Sequence, residues 1–375
     1  MKAWPFLAVA AMQALLLAAH WFLFRTAVAF LPGLSPVAVQ VLRISLMTLA
    51  FSFIVAAMVG FRYSNLLVRI LYRIASIWLG FLSFFFWAAC LCRVAGLVLA
   101  LTPLAADMPL LRPVMASILF SLAILVSLYG MANARWVRVR HVPIQMSGLP
   151  TAWSGRKALV LSDLHLGNVC NIGFARRVAT LAARLEPEIV LIPGDLFDGS
   201  KADPDRLLAP FLDLNPPLGI YFSAGNHDEF GGSAHYTAAL KRAGIHVLED
   251  QSITVEGVRI VGTPYGSSAH PLHLRVFLES LQLEDGVPSI LLNHVPNRLP
   301  IVEKAGVSLL LSGHTHGGQV FPFTWATRRI FGKFTYGLQQ FGRLTVYTST
   351  GCGTWGPPMR LGAQPEVVLL TFGAA

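Results

Sequence analysis

Hydrophobic side chains follow two different patterns along the chain, and the change comes after Met131. Before that point the apolar runs are long, and four of them approach the ~20 residues that a helix needs to cross a bilayer. The four runs are Trp4–Phe24, Ile44–Gly60, Ile74–Cys92 and Val114–Met131. They predict an N-terminal all-α membrane domain of four transmembrane helices. The first run is too long for a signal peptide, so we expect it to be retained.

Beyond Met131 the apolar runs are short and alternate with amphipathic stretches. Trp136–Val142 alternates with period two, as a half-buried strand does. Five further runs are predicted as buried strands, namely Ala158–Ser162, Ile189–Ile192, Ile220–Ser223, Ile290–Asn293 and Leu309–Ser312. Phe174–Leu185 and Ala234–Ala243 are predicted as helices. This alternation is typical of an α/β layered domain, so we divide the chain into a transmembrane domain over 1–134 and a second domain over 135–375.

Charge is distributed unevenly between these two parts. Residues 1–134 contain eight basic residues and one acidic residue, Asp107, whereas the remainder contains 21 basic and 18 acidic residues. The net charge of +10 therefore comes mostly from the apolar part, which is typical of loops that flank membrane helices. We expect an integral membrane protein and no nucleic-acid partner. The four cysteines show no CxxC spacing and are expected to stay reduced.

The heavier basic clusters fall on one side of the four predicted helices. Lys2 precedes the first helix, Arg62, Arg69 and Arg73 separate the second from the third, and Arg135, Arg138 and Arg140 follow the fourth. The positive-inside rule makes this side cytoplasmic, so we expect both termini and the second domain in the cytoplasm.

Two polar residues lie within the first predicted membrane helix. Gln13 and His20 are seven residues apart and therefore share one face of the helix. Polar side chains in a membrane form hydrogen bonds between helices or mark a functional site. We expect hydrogen bonds between helices here, with a functional role as the alternative.

Each of the five predicted buried strands runs into residue types that bind metal ions. The motifs are Asp163-Leu164-His165, Gly194-Asp195 with Asp198, Gly225-Asn226-His227-Asp228, Asn293-His294 and Gly313-His314-Thr315-His316. Loops at the carboxyl ends of strands in an open α/β sheet converge on one crevice, so we expect a single site. Glycines before Asp195, Asn226 and His314 are expected to let the main chain approach that site closely.

The spacing within two motifs makes a further prediction. In an extended chain, side chains two residues apart point to the same side. Asp163 and His165 are therefore expected to reach one ion, and so are His314 and His316.

These motifs, in this order, resemble the calcineurin-like metallophosphoesterases, and more narrowly their bacterial membrane-anchored branch. Gly317-Gly318-Gln319 and the segment Gly353–Arg360 are similar to that branch too. The resemblance covers roughly Arg135 to Phe372. It implies a layered β-sandwich flanked by helices that hydrolyses phosphate esters, phosphodiesters or pyrophosphates, located at the bacterial inner membrane.

The resemblance also implies a role for each motif residue. One divalent metal ion would be bound by Asp163, His165, Asp195 and His316, and a second by Asp195, Asn226, His294 and His314, with Asp195 bridging. A hydroxide that bridges both ions would be the nucleophile. His227 would contact the phosphate or protonate the leaving group, and Asp228 would orient His227 through a hydrogen bond. Asp198 would support the site, and the nitrogen and oxygen ligands suit Mn, Fe or Zn.

The predicted membrane helices indicate where the substrate is found. The second domain begins a few residues after the fourth helix, so it would meet membrane-bound substrates at high effective concentration. We expect a lipid-linked phosphorylated substrate, and similar enzymes include the UDP-2,3-diacylglucosamine pyrophosphatases.

Two alternatives to a lipid-linked substrate stay open. The enzyme could be a phosphatase of soluble nucleotides or phosphoproteins, with the helices as a simple anchor. It could also be a membrane sensor whose soluble domain only binds a ligand. Arg360 is left with two roles as well, because a guanidinium suits both a phosphate contact and a structural salt bridge.

Overall fold

The computed structural model describes residues 4–230, 232–283 and 287–374. Lys2, which entered the orientation argument, lies outside the described residues. The chain divides into two compact units. The first comprises Met1–Ala132 together with the segment Gly356–Met359, and the second comprises Asn133–Trp355 and Arg360–Ala375. This division lies close to the predicted boundary at residue 134.

The first unit contains, within the described residues, four helices that are long and apolar enough to cross a membrane. They are α1 (Trp4–Phe30), α2 (Pro36–Gly60), α3 (Leu66–Leu99) and α4 (Met108–Arg135). Each is longer than the apolar run that predicted it, because arginine ends an apolar run without ending a helix. Arg93, for example, lies inside α3 and donates through Nε to Thr26 Oγ1 at 3.0 Å.

The two polar residues of α1 form hydrogen bonds to other helices. Gln13 Nε2 donates to the main-chain oxygen of Ala50 on α2 at 3.1 Å. Trp78 Nε1 on α3 donates to His20 Nε2 at 2.9 Å. The structure therefore confirms the predicted role of Gln13 and His20 in contacts between helices.

The second unit is built on twelve described strands in two six-stranded sheets. In chain order they are β1 (Arg138–Met146), β2 (Lys157–Val160), β3 (Ile189–Ile192), β4 (Ile220–Phe222), β5 (His246–Val247), β6 (Gln251–Val255), β7 (Val258–Gly262), β8 (Ser289–Leu292), β9 (Leu309–Ser312), β10 (Gly337–Phe341), β11 (Leu344–Thr348) and β12 (Glu366–Ala374). The first sheet has the order β1-β12-β2-β3-β4-β5, and the second has the order β10-β11-β9-β8-β7-β6. Strands β2 to β5 are parallel, as are β7, β8, β9 and β11.

Helices cover the outer faces of both sheets. The helices of this unit are α5 (Ile172–Arg184), α6 (Pro204–Leu208), α7 (Asn226–Phe230), α8 (Ser233–Arg242), α9 (Tyr265–Ser268), α10 (Pro271–Ser280), α11 (Leu299–Lys304) and α12 (Phe323–Phe331). Apolar side chains of α5 and α8 pack with the first sheet, and those of α10 and α11 pack with the second. A third apolar cluster contains residues of both sheets and lies between them.

The central strands supply side chains to two apolar layers at once. Ala158 and Val160 of β2 belong to the cluster between the sheets, whereas Leu159 belongs to the cluster under α5. Successive side chains of a strand point to opposite faces, so a strand that is covered on both sides must be apolar throughout. The continuous apolar runs of the sequence follow from this, and the predicted β-sandwich flanked by helices is confirmed.

The five predicted buried strands are all present, with small differences at their ends. β3 and β9 have the predicted bounds, whereas Ser162, Ser223 and Asn293 lie just outside β2, β4 and β8. At these points the main chain leaves the ladder in order to enter a loop at the sheet edge. The predicted helices are present as α5 and α8, each shifted by one or two residues.

Candidate metal centre

Loops from both sheets bring the predicted residues to one place. In the first sheet β2, β3 and β4 lie side by side, and Asp163, Asp195 and Asn226 follow them. In the second sheet β8 and β9 lie side by side, and His294 and His314 follow them. The carboxyl ends of neighbouring parallel strands meet at one edge of a sheet, which explains this convergence.

His165 and His316 form the first group with Asp163. The Nε2 atoms of the two imidazoles are 2.9 Å apart, and His316 Nε2 lies 3.4 Å from Asp163 Oδ1. All three residues are buried. Their ligand atoms lie within 4.8 Å of one another, close enough to hold a metal ion.

Asp195 lies between this group and a second one. Its Oδ2 atom is 3.7 Å from His165 Nε2 and 3.1 Å from His294 Nε2. Together with Asp163 and His294, Asp195 forms another set that could hold a metal ion. A single carboxylate thus faces histidines from both sheets.

His314 lies beside His294 and Asn226. Its Nδ1 atom is 3.0 Å from Asn226 Oδ1, and its ring centre is 5.1 Å from that of His294. The spacing predicts one ion for His314 and His316, whereas the resemblance assigns them to different ions. The contacts of His314 with Asn226 and His294 are compatible with the second assignment, which stays a prediction.

The main chain of both motifs differs from the extended conformation that the spacing argument assumed. Asp163 and His165 have φ values of 51° and 47°, and His314 and His316 have values of 67° and 49°. These are left-handed conformations, so neither motif is extended. Non-glycine residues adopt such conformations at a cost and do so preferentially at functional sites.

Two of the glycines allow the close approach that the sequence predicted. A Cβ atom on Gly225 would lie 2.2 Å from Asp195 Oδ1, and one on Gly313 would lie 2.0 Å from Asp163 Oδ2. Both carboxylates are buried, so they have little room to move. Alanine at either position would displace a carboxylate from the cluster.

His294 tests whether the site suits a cation. Its Nδ1 atom lies 3.0 Å from the carbonyl oxygen of Pro193, which can only accept, so the neutral ring carries its proton on Nδ1. The Nε2 atom is buried without a hydrogen-bond partner among the described residues, and it faces the carboxylates of Asp195 and Asp163. The lone pair of His294 Nε2 and the two carboxylates are all electron-rich, so a positive charge between them is needed to stabilise the arrangement. A divalent metal ion fits this requirement.

Without a metal ion, a proton supplies that charge. Burial alone would lower the pKa of His294, but the carboxylates of Asp195 and Asp163 outweigh it and raise the pKa to about 9. Burial opposes ionisation of Asp195 as well, yet His294 holds the pKa of this carboxyl below its usual range. The pair is therefore ionic, with its positive charge where a metal ion would lie.

The imidazoles of His165, His314 and His316 are uncharged at neutral pH. Burial lowers the pKa of His314 to about 4 and lowers the pKa values of His165 and His316 well below the usual 6.5. Burial also raises the pKa of Asp163 to about 6. Neutral imidazoles and carboxylates are the protonation states that metal binding requires.

Asp228 does not orient His227, contrary to the sequence-based expectation. Its carboxylate accepts three hydrogen bonds from main-chain amides, those of Asp195 at 2.7 Å, Phe197 at 2.9 Å and Gly225 at 2.8 Å. The two residues are neighbours at the start of the helical turn of α7, so their side chains point in different directions. Asp228 instead ties together the loops that follow β3 and β4.

His227 lies at the edge of the cluster. Its Nδ1 atom is 3.4 Å from the main-chain oxygen of Asp198, and its ring centre is 5.7 Å from that of Trp355. It also forms a set with His165 and Asp195 that could hold a metal ion. The geometry therefore admits His227 both as a ligand and as a group that contacts a substrate.

Asp198 and Arg360 both act on the loops around the cluster. The Asp198 carboxylate accepts from the amides of Asn168 at 2.8 Å and Ser200 at 2.9 Å, which fits the predicted supporting role. Arg360 is fully buried, donates to the carbonyl oxygen of His316 at 2.8 Å, and places Nη2 3.0 Å from Nδ1 of the same histidine. It forms no salt bridge among the described residues, and its burial leaves no surface for a phosphate. Both sequence-based expectations for Arg360 are therefore wrong.

An open cleft of about 680 Å³ adjoins His314. Its wall is largely apolar and includes the side chains of Tyr265, Ile330, Phe331 and Phe341, with Arg298 as a charged member. The sequence did not reveal this cleft, because its residues come from separate segments that share no motif.

Comparison with known proteins gives consistent matches. Residues 156–318 match the calcineurin-like phosphoesterase family. An uncharacterized metallophosphoesterase of Aquifex aeolicus is 32% identical over 257 residues, which is 67% of this chain and 97% of that protein. A transmembrane protein with metallophosphoesterase domain from Bos taurus is 30% identical over 71% of this chain and 63% of its own length.

Among solved structures, a dimetal phosphatase from Danio rerio matches over 53% of this chain and 88% of its own, with 13% identity and a TM-score of 0.35.

Proposed function

Since this chain belongs to the calcineurin-like phosphoesterase family and is therefore a phosphoester hydrolase, we propose that it cleaves a phosphodiester or pyrophosphate bond in a lipid-linked substrate. The observation that carries the proposal is the buried cluster of carboxylates and imidazoles around Asp195. Four apolar helices make the chain a membrane protein.

In this proposal the cluster binds two divalent ions. One is bound by Asp163, His165, Asp195 and His316, and the other by Asp195, Asn226, His294 and His314. Such ions, when bound, stabilise negative charge on a phosphate and lower the pKa of a water molecule. Asp195 is assigned to both ions because it faces histidines on both sides.

His227 is assigned to the substrate and not to a metal ion. It is 9% exposed and stands at the edge of the cluster, where an imidazole can donate to a phosphate oxygen or to a leaving group. Its main-chain amide donates to Asp195 Oδ1 at 2.8 Å, which fixes the start of α7 relative to the cluster.

The cleft beside His314 supports a substrate with an apolar part. Tyr265, Phe331 and Phe341 give it aromatic walls, and Arg298 adds a positive charge that suits a second phosphate. A lipid-linked nucleotide sugar has both features, and a UDP-2,3-diacylglucosamine-type substrate is the named candidate. Hydrolysis would take place at the cytoplasmic face of a bacterial inner membrane.

The full chain in nanodiscs with Mn²⁺ provides the test. We expect it to hydrolyse bis-p-nitrophenyl phosphate and, with a lower KM, UDP-2,3-diacylglucosamine. Asp195→Ala should abolish both activities, whereas Asp213→Ala, which removes an exposed carboxylate of the same unit, should leave both intact. If Asp195→Ala retains both activities, the proposed metal site is wrong.

A second variant tests the substrate class separately. Tyr265→Ala should raise KM for the lipid substrate and leave turnover of bis-p-nitrophenyl phosphate unchanged. If the wild type hydrolyses the small diester but no lipid-linked substrate, a soluble substrate is favoured and the lipid part of the proposal is wrong.

A further inference from the structure

Helix α12 carries an unusual exposed surface close to the metal centre. Phe323, Trp325 and Ile330 are 60%, 66% and 73% exposed. The surfaces of soluble proteins rarely expose several large apolar side chains on one short helix. Such patches mark contacts with a partner or a membrane. The helix has no buried residue, so the apolar surface is not explained by the core.

The helix is nevertheless fixed to the catalytic unit along one face. Thr324, Thr327 and Phe331 recur at helical spacing and are partly covered, as is Ala326. The main-chain oxygen of Thr327 accepts from Thr335 Oγ1 at 3.2 Å. The ring centre of Phe331 lies 6.2 Å from that of His314. These contacts fix α12, with its exposed side chains, beside the candidate metal centre.

The charges around α12 have one sign. Arg328 and Arg329 are exposed, and Lys333 follows the helix. No acidic residue occurs between residues 304 and 365 of the sequence. The guanidinium of Arg329 lies 5.9 Å from the ring centre of Trp325. Arginine beside tryptophan, in a segment of sequence without acidic residues, matches the polar–apolar boundary of an anionic bilayer.

We propose that α12 docks the catalytic unit on the surface of an anionic phospholipid bilayer. Phe323 and Ile330, which are seven residues apart and share one side of the helix, enter the headgroup region. Trp325 lies on the side of Arg328 and Arg329 and sits with them at the level of the lipid phosphates. The membrane helices keep the unit close to a bilayer, so a short helix with weak affinity is sufficient. Ile330 and Phe331 also line the cleft beside His314, so a lipid could pass from the docked surface towards the metal centre.

Thiol reactivity in the full chain tests this proposal. Trp325→Cys and, as the control, Leu212→Cys are reconstituted in nanodiscs that contain phosphatidylglycerol and are labelled with a membrane-impermeant maleimide. Leu212 is 58% exposed, less than Trp325, and lies beside Asp213. Without docking, the thiol at 325 would therefore react faster, since nearby arginines also favour its thiolate. The native cysteines are buried or half-buried, and wild type gives their background.

With docking, the thiol at 325 should react at least about tenfold more slowly than the thiol at 212, because it spends most of its time out of water. Adding Arg328→Glu and Arg329→Glu, or using phosphatidylcholine alone, should restore its reactivity. Equal or faster labelling at 325 in the anionic nanodiscs overturns the proposal. Protection that persists after charge reversal and in neutral lipid also overturns it, and indicates a contact with a second copy of the chain.

This measurement does not depend on turnover. A failure of docking therefore leaves the proposed hydrolysis standing, and an inactive protein can still show docking.

Discussion

Arg360 illustrates how a single buried side chain supports the candidate metal centre. Its guanidinium is fully buried and binds the main-chain oxygens of Gly353 and His316, at 3.1 Å and 2.8 Å. Burial lowers its pKa to about 10, so it stays charged at neutral pH. It therefore fixes the loop that carries His316 without contacting a substrate.

We expect Arg360→Met to weaken Mn²⁺ binding about 10–100-fold, as is usual when a partner that positions a metal ligand is removed. Titration of metal-stripped protein measures this affinity. Arg242→Met is the matched control, because Arg242 pairs with Asp205 on the surface and both side chains are more than half exposed. Unchanged affinity in Arg360→Met would show that His316 needs no such support.

His227→Gln separates the two roles that geometry allows for this residue. We expect the variant to retain two metal ions per chain and to lose about 10²–10⁴-fold in turnover, the usual contribution of general acid catalysis. Elemental analysis and steady-state kinetics on bis-p-nitrophenyl phosphate give both values. A variant that binds only one ion would make His227 a ligand instead.

At this scale the sequence predicted which residues gather, because each follows an apolar run that could only be a buried strand. Residue spacing alone did not predict which of them lie in contact. His314 and His316 have different contacts, and their left-handed main chains could not be predicted because residue spacing carries no information about φ. The contacts of Asp228 were also missed, since main-chain amides that come together from distant loops leave no motif.

Among the elements, β12 brings a buried carboxylate into the second unit. Glu366 accepts hydrogen bonds from Tyr347 Oη and Ser349 Oγ, both at 3.2 Å, and from Tyr336 Oη at 3.1 Å. The guanidinium of Arg140, which is half exposed, lies 3.8 Å away. Burial nevertheless raises the pKa of Glu366 above the usual 4.5.

A raised pKa in the folded state means that folding favours the protonated carboxyl, so this residue's contribution to stability is lost as the pH rises through that pKa. Glu366→Gln should therefore raise the unfolding temperature at pH 7 and have little effect at pH 4. Maleimide labelling of the buried Cys352 reports unfolding of this unit. Glu279→Gln, at an exposed position, should change nothing at either pH. If Glu366→Gln had a lower unfolding temperature than wild type at pH 7, the predicted direction of the stability change would be wrong.

The local pattern identified strands and helices but could not order them. β3 and β9 were predicted with their observed bounds because each is a short apolar run between turn residues. The position of β12 between β1 and β2 follows from pairing between segments more than 200 residues apart, which no local pattern encodes. The sequence-based prediction missed the edge strands β5, β6 and β10, few of whose side chains are buried, and also the largely buried strands β7, β11 and β12.

For the whole molecule, the predicted orientation rests on basic residues alone. We expect a fluorescent protein that folds only in the cytoplasm to be active when fused after Ala374, and a periplasmic alkaline phosphatase to be inactive there. The same two reporters placed after Asp107, between α3 and α4, should give the opposite result. Phosphatase activity at the C-terminal fusion would place the metal centre outside the cytoplasm.

The order of strands in the first sheet has a consequence for synthesis of the chain. β1 begins three residues after α4, yet it pairs with β12, which follows every other described strand along the chain. β12 also pairs with β2, so it joins β1 to the rest of the sheet. A nascent chain therefore exposes the open edges of β1 and β2 while more than 200 further residues are translated. Premature termination before Glu366 would leave those edges unpaired. Unpaired strand edges promote aggregation, and we expect them to make the truncated chain a target for quality-control proteases.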